Sequence, residues 1–284
     1  MSKIQKALGH MKNARSDPAA HHAHAAGSSN TSRSGQFMAL DPKNISLSRI
    51  PKVPFDEEIF ERNRLLSSSS DKPHPAQGAY RMLRTRLMQV MRSNNWRVLG
   101  VSSIGQSEGK TFTTINLAIS IAAEIGQEAI LVDLDLRRPS VYRHMGIAAN
   151  DFINIREYIE NDQRDLSDLL ICPSIERLGC MLSANPLDRS SDVLASPRGM
   201  QLFQELRDRI DPKTVVIVDL PPLMAADDAL TVAPMMDALL LVVAEGQAER
   251  SDLVDVRQLI EEFNFVGSVL NKSIEKDSKR VSYY

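Results

Sequence analysis

Cysteine is scarce in this chain. Cys172 and Cys180 are the two present, without a CxxC pair or metal-ligand spacing. That excludes a disulfide framework or a cysteine-held zinc site and suits a reducing cytoplasm. Long apolar runs are missing too: Ala238 to Ala244 is strand-length, far short of the ~18 residues a bilayer-spanning helix needs, so no transmembrane segment is expected. Met1 to Arg15 lacks the apolar core of a secretory signal. Charge of one sign is absent as well. A net charge of −2 gives no whole-chain attraction to nucleic acid or membrane, and no nucleic-acid partner is expected.

What is present is enough apolar material, 43% of 284 residues, for one large domain or a domain with an appendage. Residues 1–15 read as a short basic amphipathic helix. Ser2 and Gln5 form a capping-box pair, and Ile4, Ala7, Leu8 and Met11 share a face ringed by Lys3, Lys6, Lys12 and Arg15. Residues 16–75 are rich in Ser, Ala, His, Pro and Asn without sustained periodicity, which predicts a flexible linker. His21, His22 and His24 sit in an acid-free tract and are read as incidental rather than metal-binding. Within the linker, Val53 to Leu66 carries enough apolar residues to dock on a core.

Residues 76–272 change character. A helix is predicted over Gln77 to Arg92, then strands near Val98–Ser102, Ala129–Asp133, Leu178–Leu182, Val215–Asp219, Leu239–Val243 and Val266–Leu270. Helical patterns fall between most of them, at Thr113–Ile125, Ile155–Tyr158, Gly199–Asp208 and Ser251–Phe263. Continuously apolar strands separated by helices predict an α/β fold with a doubly wound, mainly parallel sheet covered on both faces. Ligands bind such sheets at the carboxyl ends of the strands. Residues 273–284 are expected to be a mobile tail ending in Tyr283 and Tyr284.

The loop Gly105-Gln106-Ser107-Glu108-Gly109-Lys110-Thr111 joins the first of these strands to a helix, the setting a phosphate-binding loop requires. Unpaired N–H groups at the helix start attract anions, Gly109 lets the backbone approach a phosphate, Lys110 can reach the β/γ oxygens, and Thr111 can ligate Mg²⁺. The first glycine comes one place late, with Ile104 where the usual pattern has Gly. Two further strands end in carboxylates: Asp133 and Asp135, two residues apart, and Asp219 ahead of Pro221-Pro222. A carboxylate at the end of an apolar strand is costly unless it is paired or faces a cation. Mg²⁺ held partly through water, with ATP phosphates, would satisfy all three.

The phosphate loop, Asp133-x-Asp135-x-Arg137-x-Pro139 and Asp219-Leu-Pro-Pro together resemble the Walker A, A′ and B set of bacterial tyrosine kinases (BY-kinases), P-loop NTPases encoded with exopolysaccharide and capsule export systems. Tyr80-Arg81-Met82-Leu83-Arg84-Thr85 resembles that family's arginine motif, and Asn185-Pro186 through Leu194-Ala195-Ser196, Asp228-Ala229, Leu240 to Val243 and Leu270-Asn271-Lys272 follow its later segments. The resemblance implies an ATP- and Mg²⁺-dependent protein-tyrosine autokinase. Lys110 would hold the β/γ-phosphates, and Thr111, Asp135 and Asp219 would order the metal. Asp133 would be the base toward a tyrosine hydroxyl. Residues 105–112, Phe112 included, and Asn271 would border the nucleotide, while Tyr283 and Tyr284 would accept phosphate.

It also implies a separate membrane chain-length (polysaccharide co-polymerase) protein as activating partner, recruitment to the inner face of the membrane through that partner, and a possible homo-oligomer. The chain departs from the family pattern at Gly78, Ser107 and Phe112. Two other readings stand beside the kinase. One is a nucleotide switch of the MinD/ParA kind, whose signature lysine five residues before the P-loop lysine is Gly105 here. The other is a catalytically weak ATP-binding scaffold of the export system.

Overall fold

Parallel strands carry the fold in the computed structural model, which describes residues 45–66, 74–224 and 227–273 of the chain. The expected helix over residues 1–15, the three histidines and the tyrosine pair lie outside those residues.

In chain order the elements begin with β1 (Lys52–Val53) and α1 (Glu57–Arg62), then α2 (Gln77–Ser93), β2 (Val98–Ser103), α3 (Lys110–Ala122) and β3 (Ala129–Asp133). Next come α4 (Val141–His144), α5 (Ile155–Glu160), α6 (Leu166–Leu169), β4 (Cys172–Pro173), β5 (Leu178–Met181), α7 (Ser190–Leu194) and α8 (Pro197–Asp208). The last are β6 (Val215–Asp219), α9 (Asp227–Val232), β7 (Ala238–Ala244), α10 (Arg250–Ile260) and β8 (Phe265–Asn271).

Six strands form one sheet in the order β5-β3-β6-β2-β7-β8, all parallel. Alternation along each strand sorts the core into two layers. Leu99, Val101, Leu131, Ile217, Leu240 and Val242 pack on the side of α2 and α3. Val98, Ile130, Val132, Val216, Val218 and Leu241 pack on the side of α8 and α9. Helix α3 is buried almost all round, which is why its sequence, from Thr113 to Ala122, shows so little polar face. The doubly wound parallel sheet expected from the sequence is the sheet found.

Residues 45–66 belong to this folded unit, so the linker expected over 16–75 is interrupted by packed chain. β1 pairs in parallel with β4, Phe60, Leu65 and Leu66 are buried, and Leu66 N donates to Asn116 Oδ1 at 2.7 Å. This strap also clasps the turn after α4: Asp56 N donates to the Gly146 carbonyl at 2.8 Å and Asn63 Nδ2 to the His144 carbonyl at 2.9 Å. Gly146, at φ 69°, has no room for a Cβ there, since one would meet Asp56 O at 2.8 Å. The docking expected for Val53 to Leu66 is thus the arrangement found.

Strand order fixes where chemistry can occur. β3, β6 and β2 are neighbours, Asp133 pairs in register with Asp219, and Asp219 with Val101. The loop after β2 therefore opens beside both acidic strand ends.

Candidate nucleotide and phosphoryl-transfer site

The loop from β2 to α3 is braced from within and from outside. Glu108 turns its carboxylate back to accept from Ile104 N at 3.1 Å, and Ser103 Oγ donates to the Gly105 carbonyl at 2.7 Å. Burial pushes the Glu108 carboxyl above its ordinary range, against these backbone N–H bonds. Ile104, where a glycine is usual, is buried in the core layer beneath the loop. From the edge strand, Asn271 Nδ2 donates to the Glu108 carbonyl at 2.8 Å, and Lys272 Nζ donates to the Ser107 carbonyl at 2.6 Å. Gly109 starts α3 at φ 91°, and a Cβ there would lie 2.0 Å from Asn271 Nδ2. Only glycine satisfies both the backbone angle and the close approach.

Under the loop, Lys110 sits among the strand-end carboxylates. Its Nζ is 3.0 Å from Asp219 Oδ1 and 3.2 Å from Asp135 Oδ2, with the lysine side chain 7% exposed. Burial works to lower its pKa, but the charges of Asp219 and Asp135 overcome this and hold it above the ordinary lysine value. Thr111 Oγ1 donates to Asp219 Oδ2 at 2.7 Å, and the Thr114 hydroxyl lies 3.0 Å from Oδ1. Thr114, one turn along α3, is a contributor the sequence reading missed. The cue was a second threonine at i+3 from Thr111.

Asp133 takes a different place from the one expected. It is fully buried, its Oδ2 accepts from Ser140 N and Val141 N at 3.1 Å each, and its Oδ1 accepts from Asp135 N at 3.3 Å. Burial first and the Asp219 charge second push its pKa well above the usual carboxylate range. It braces the start of α4 and does not line the cleft, so this placement does not serve the base role expected of it. Asp135 does line the cleft. Burial raises its pKa, and the Lys110 charge opposes the rise.

The cleft above these groups measures about 440 Å³. Of the loop residues expected to border a nucleotide, Gln106, Ser107, Gly109, Lys110, Thr111 and Phe112 line it. Gly105, Glu108 and Asn271 do not line it; the last two shape the loop from behind. Phe112 also packs edge-on against Tyr80 of α2, with centroids 6.4 Å apart. The opposite wall comes from the segment after β3, which supplies Arg137, Arg138, Ser140, Arg143 and His144. Arg137 is pinned away from β3, its Nε 2.9 Å from Asp228 Oδ2 at the start of α9, while Ser190 Oγ donates to the same carboxylate at 2.6 Å. That ties the Asp228 and Ser190 segments of the sequence to the acidic motif.

The donor set suits a hard divalent cation. Two carboxylates, Asp135 and Asp219, face a single ammonium in a nearly dry site, leaving an excess of negative charge, and the nearby hydroxyl of Thr111 could serve as an oxygen ligand. Among the described residues no group of three or more His, Cys, Asp or Glu is arranged to hold a metal alone, so phosphate oxygens and water would complete the coordination of Mg²⁺.

Comparison with known proteins agrees with this chemistry. No family model matches the sequence. The chain is 31% identical over 178 residues to the tyrosine-protein kinase CpsD of Streptococcus pneumoniae serotype 4, covering 62% of this chain and 76% of that protein. It is 24% identical over 208 residues to the putative tyrosine-protein kinase CapB of Staphylococcus aureus, covering 72% and 88%. Among solved structures, the kinase domain of the Escherichia coli tyrosine kinase ETK superposes with a TM-score of 0.65 at 25% identity, over 82% of this chain and 93% of that one. MinD of Pyrococcus horikoshii, complexed with Mg-ADP, superposes at 0.53 with 18% identity, over 64% and 72%, a likeness of fold alone.

Proposed function

The chain belongs to the bacterial tyrosine-protein kinases, and from that premise we propose that it is an ATP- and Mg²⁺-dependent tyrosine autokinase that regulates exopolysaccharide or capsule polymerisation and export. The observation that carries this reading is the Lys110–Asp135–Asp219 cluster at the floor of a cleft roofed by the phosphate loop.

ATP supplies the phosphoryl group, and Mg²⁺ neutralises its developing charge. Lys110, already held charged by the site, would turn its ammonium toward the β/γ oxygens as a bound metal took its place beside Asp135 and Asp219. Thr111 and Asp219 orient the metal side of the cleft. Asp135, the carboxylate that lines the cleft, would accept the phenolic proton. Asp133 keeps the α4 wall in place through its three main-chain hydrogen bonds.

Fold likeness alone supports a MinD-like switch, and Gly105 occupies the position of the lysine such a switch needs. No helix among the described residues is long and apolar enough to cross a membrane. The kinship with kinases of capsule loci supports recruitment to the membrane through a partner, a chain-length protein of the export system. The test is incubation of the purified chain with labelled ATP and Mg²⁺, followed by phosphotyrosine detection. Phosphotyrosine is expected; ATP hydrolysis without it would favour the switch, and neither activity would favour the scaffold.

A further inference from the structure

The floor of the cleft is acidic and buried, whereas the wall after β3 is basic and exposed. Arg138 Nη1 donates to Gln106 Oε1 at 2.6 Å, which sets its guanidinium beside the mouth of the phosphate loop. Arg143 Nη2 donates to the Pro139 carbonyl at 2.7 Å, and its guanidinium lies 5.4 Å from the centre of the Tyr142 ring. No carboxylate among the described residues pairs with either, unlike Arg137, which is committed to Asp228. Each keeps N–H donors beyond the one bonded to a described residue, and a guanidinium fork suits a phosphate or carboxylate. His144 adds to the same wall, its Nδ1 within 2.8 Å of the Ser140 carbonyl.

The backbone under these side chains is well anchored. Asp133 holds the amides of Ser140 and Val141, Asn63 holds the His144 carbonyl, and Asp56 N holds that of Gly146. Such preorganisation lowers the ordering cost of binding an anion.

We propose that Arg138 and Arg143 form an anion-reading rim that selects accepting tyrosines with a negative charge beside them. On this reading the tandem pair Tyr283-Tyr284 is phosphorylated in order, the second event faster than the first. The inference rests on the kinase reading and names its substrate class. The occupant is fixed by charge. Residues 279–284, Lys-Arg-Val-Ser-Tyr-Tyr, carry two cations and no acid, so the rim repels the unmodified segment. One phosphate adds roughly −1.5 to −2 charges, which cancels most or all of that repulsion and places a local dianion directly against the rim. In an extended segment neighbouring side chains point to opposite sides, so one tyrosine enters the cleft while the other faces its wall. In each transfer the bond from the γ-phosphorus to the bridging oxygen of ADP breaks as the phenolic oxygen bonds to that phosphorus. ADP leaves, and the phenolic proton passes to Asp135.

The test compares C-terminally amidated peptides of residues 278–284, unmodified or phosphorylated at Tyr283 or at Tyr284, as substrates of the full chain and of Arg138→Ala/Arg143→Ala. Fluorescence anisotropy with the same peptides, labelled, gives affinity independently of turnover. For the wild-type chain, KM and Kd are expected to fall about tenfold with the first phosphate, the scale of one hydrogen bond to a charged group. In the double variant the gap should shrink to about twofold. Equal values for modified and unmodified peptide in the wild-type chain would overturn the rim while leaving the kinase reading intact. A double variant that loses ATP affinity but keeps peptide discrimination would overturn it too, assigning the arginines to the nucleotide. Turnover of no peptide would count against the kinase reading, and the anisotropy ratio would still decide the rim.

Discussion

Lys110 Nζ lies 3.0 Å from Asp219 Oδ1 at the nearly dry floor of the cleft, so the phosphate-loop lysine is part of the protein's own electrostatic core. Removing it should do two separable things. Lys110→Ala should reduce phosphoryl transfer by something like ~10²–10³-fold, the scale of losing one preorganised transition-state donor. It should also cost stability on the order of 3–5 kcal/mol, because Asp219 and Asp135 are left buried without their cation. Phosphotyrosine formation and thermal unfolding measured on the same preparation check both. Lys110→Ala/Asp219→Asn should be more stable than the sum of the single losses, since the uncompensated charge goes with its partner.

The carboxylates should divide by role. Asp219→Asn should weaken nucleotide binding only when Mg²⁺ is present, because the role proposed for Asp219, which accepts from Thr111 at 2.7 Å, is to order the metal. Asp133→Asn should instead lower the unfolding temperature most, since an amide cannot accept three main-chain hydrogen bonds as a carboxylate does. Nucleotide titrations with Mg²⁺ and with a chelator, beside unfolding curves, separate the two. Equal Mg²⁺-dependent losses in both variants would contradict the division.

The sheet and the floor of the site are legible in the sequence because their signals are continuous. Val98, Ala129 and Val215 each open an apolar run ending in a loop glycine or an aspartate, and a strand buried on both faces has no other way to read. The strap is only partly legible. Phe60 and Leu66 announce burial, but β1 and β4 are two residues each and carry no period. Asp133 and Asp135 look alike in an Asp-x-Asp motif. What separates them is the four-residue helix Val141–His144, too short to announce itself, whose first amides use up the Asp133 carboxylate. The basic wall stayed hidden for a similar reason: Arg143 reaches the cleft only because α4 turns the chain back.

Gly109→Ala tests the loop's shape. The added methyl would overlap Asn271 Nδ2 and disfavour φ 91°, so nucleotide affinity should fall with loss of the Asn271–Glu108 hydrogen bond. Adding Asn271→Ala should recover part of the affinity by making room. The remainder, about 1–2 kcal/mol, is the cost of a left-handed backbone with a side chain. Nucleotide fluorescence titration of the two variants measures that split. No recovery in the double variant would show that the clash is not what limits binding.

Away from the cleft, Arg209 grips Asp165 through two nitrogens, at 2.7 and 3.0 Å, joining the cap of α6 to the end of α8. These hydrogen bonds hold the Asp165 carboxyl well below the usual range. A depressed carboxylate contributes stability that is present above its unfolded value, about 4, and is lost as pH falls toward the folded one. Asp165→Asn keeps a side chain suited to the cap and loses the ion pair. Its deficit at pH 7 should be below about 1 kcal/mol, as for other partly exposed pairs. The gap to the wild-type chain should narrow below pH 4, as followed by thermal unfolding across pH; a deficit constant with pH would exclude the ion pair as its source.

Burial decides which tyrosines can accept phosphate. The chain has five: Tyr80, Tyr142, Tyr158, Tyr283 and Tyr284. Tyr80 is buried beside Phe112 and Tyr158 is fully buried, with burial raising the pKa of both phenols, that of Tyr158 to about 12. Neither can reach a cleft without unfolding its own core layer. Tyr142 is half-buried against Phe152 and flanked by Arg143. The tail pair follows a polar stretch from Ser273 to Ser282, with nothing in its sequence to bury it. Mass spectrometry after incubation with ATP and Mg²⁺ should therefore place phosphate on Tyr283, Tyr284 or both. Tyr283→Phe/Tyr284→Phe should lose most of the incorporated label while still binding nucleotide as the wild-type chain does. Full labelling of that variant, traced to Tyr142, would move the accepting site to the cleft wall and remove the tail from the reaction.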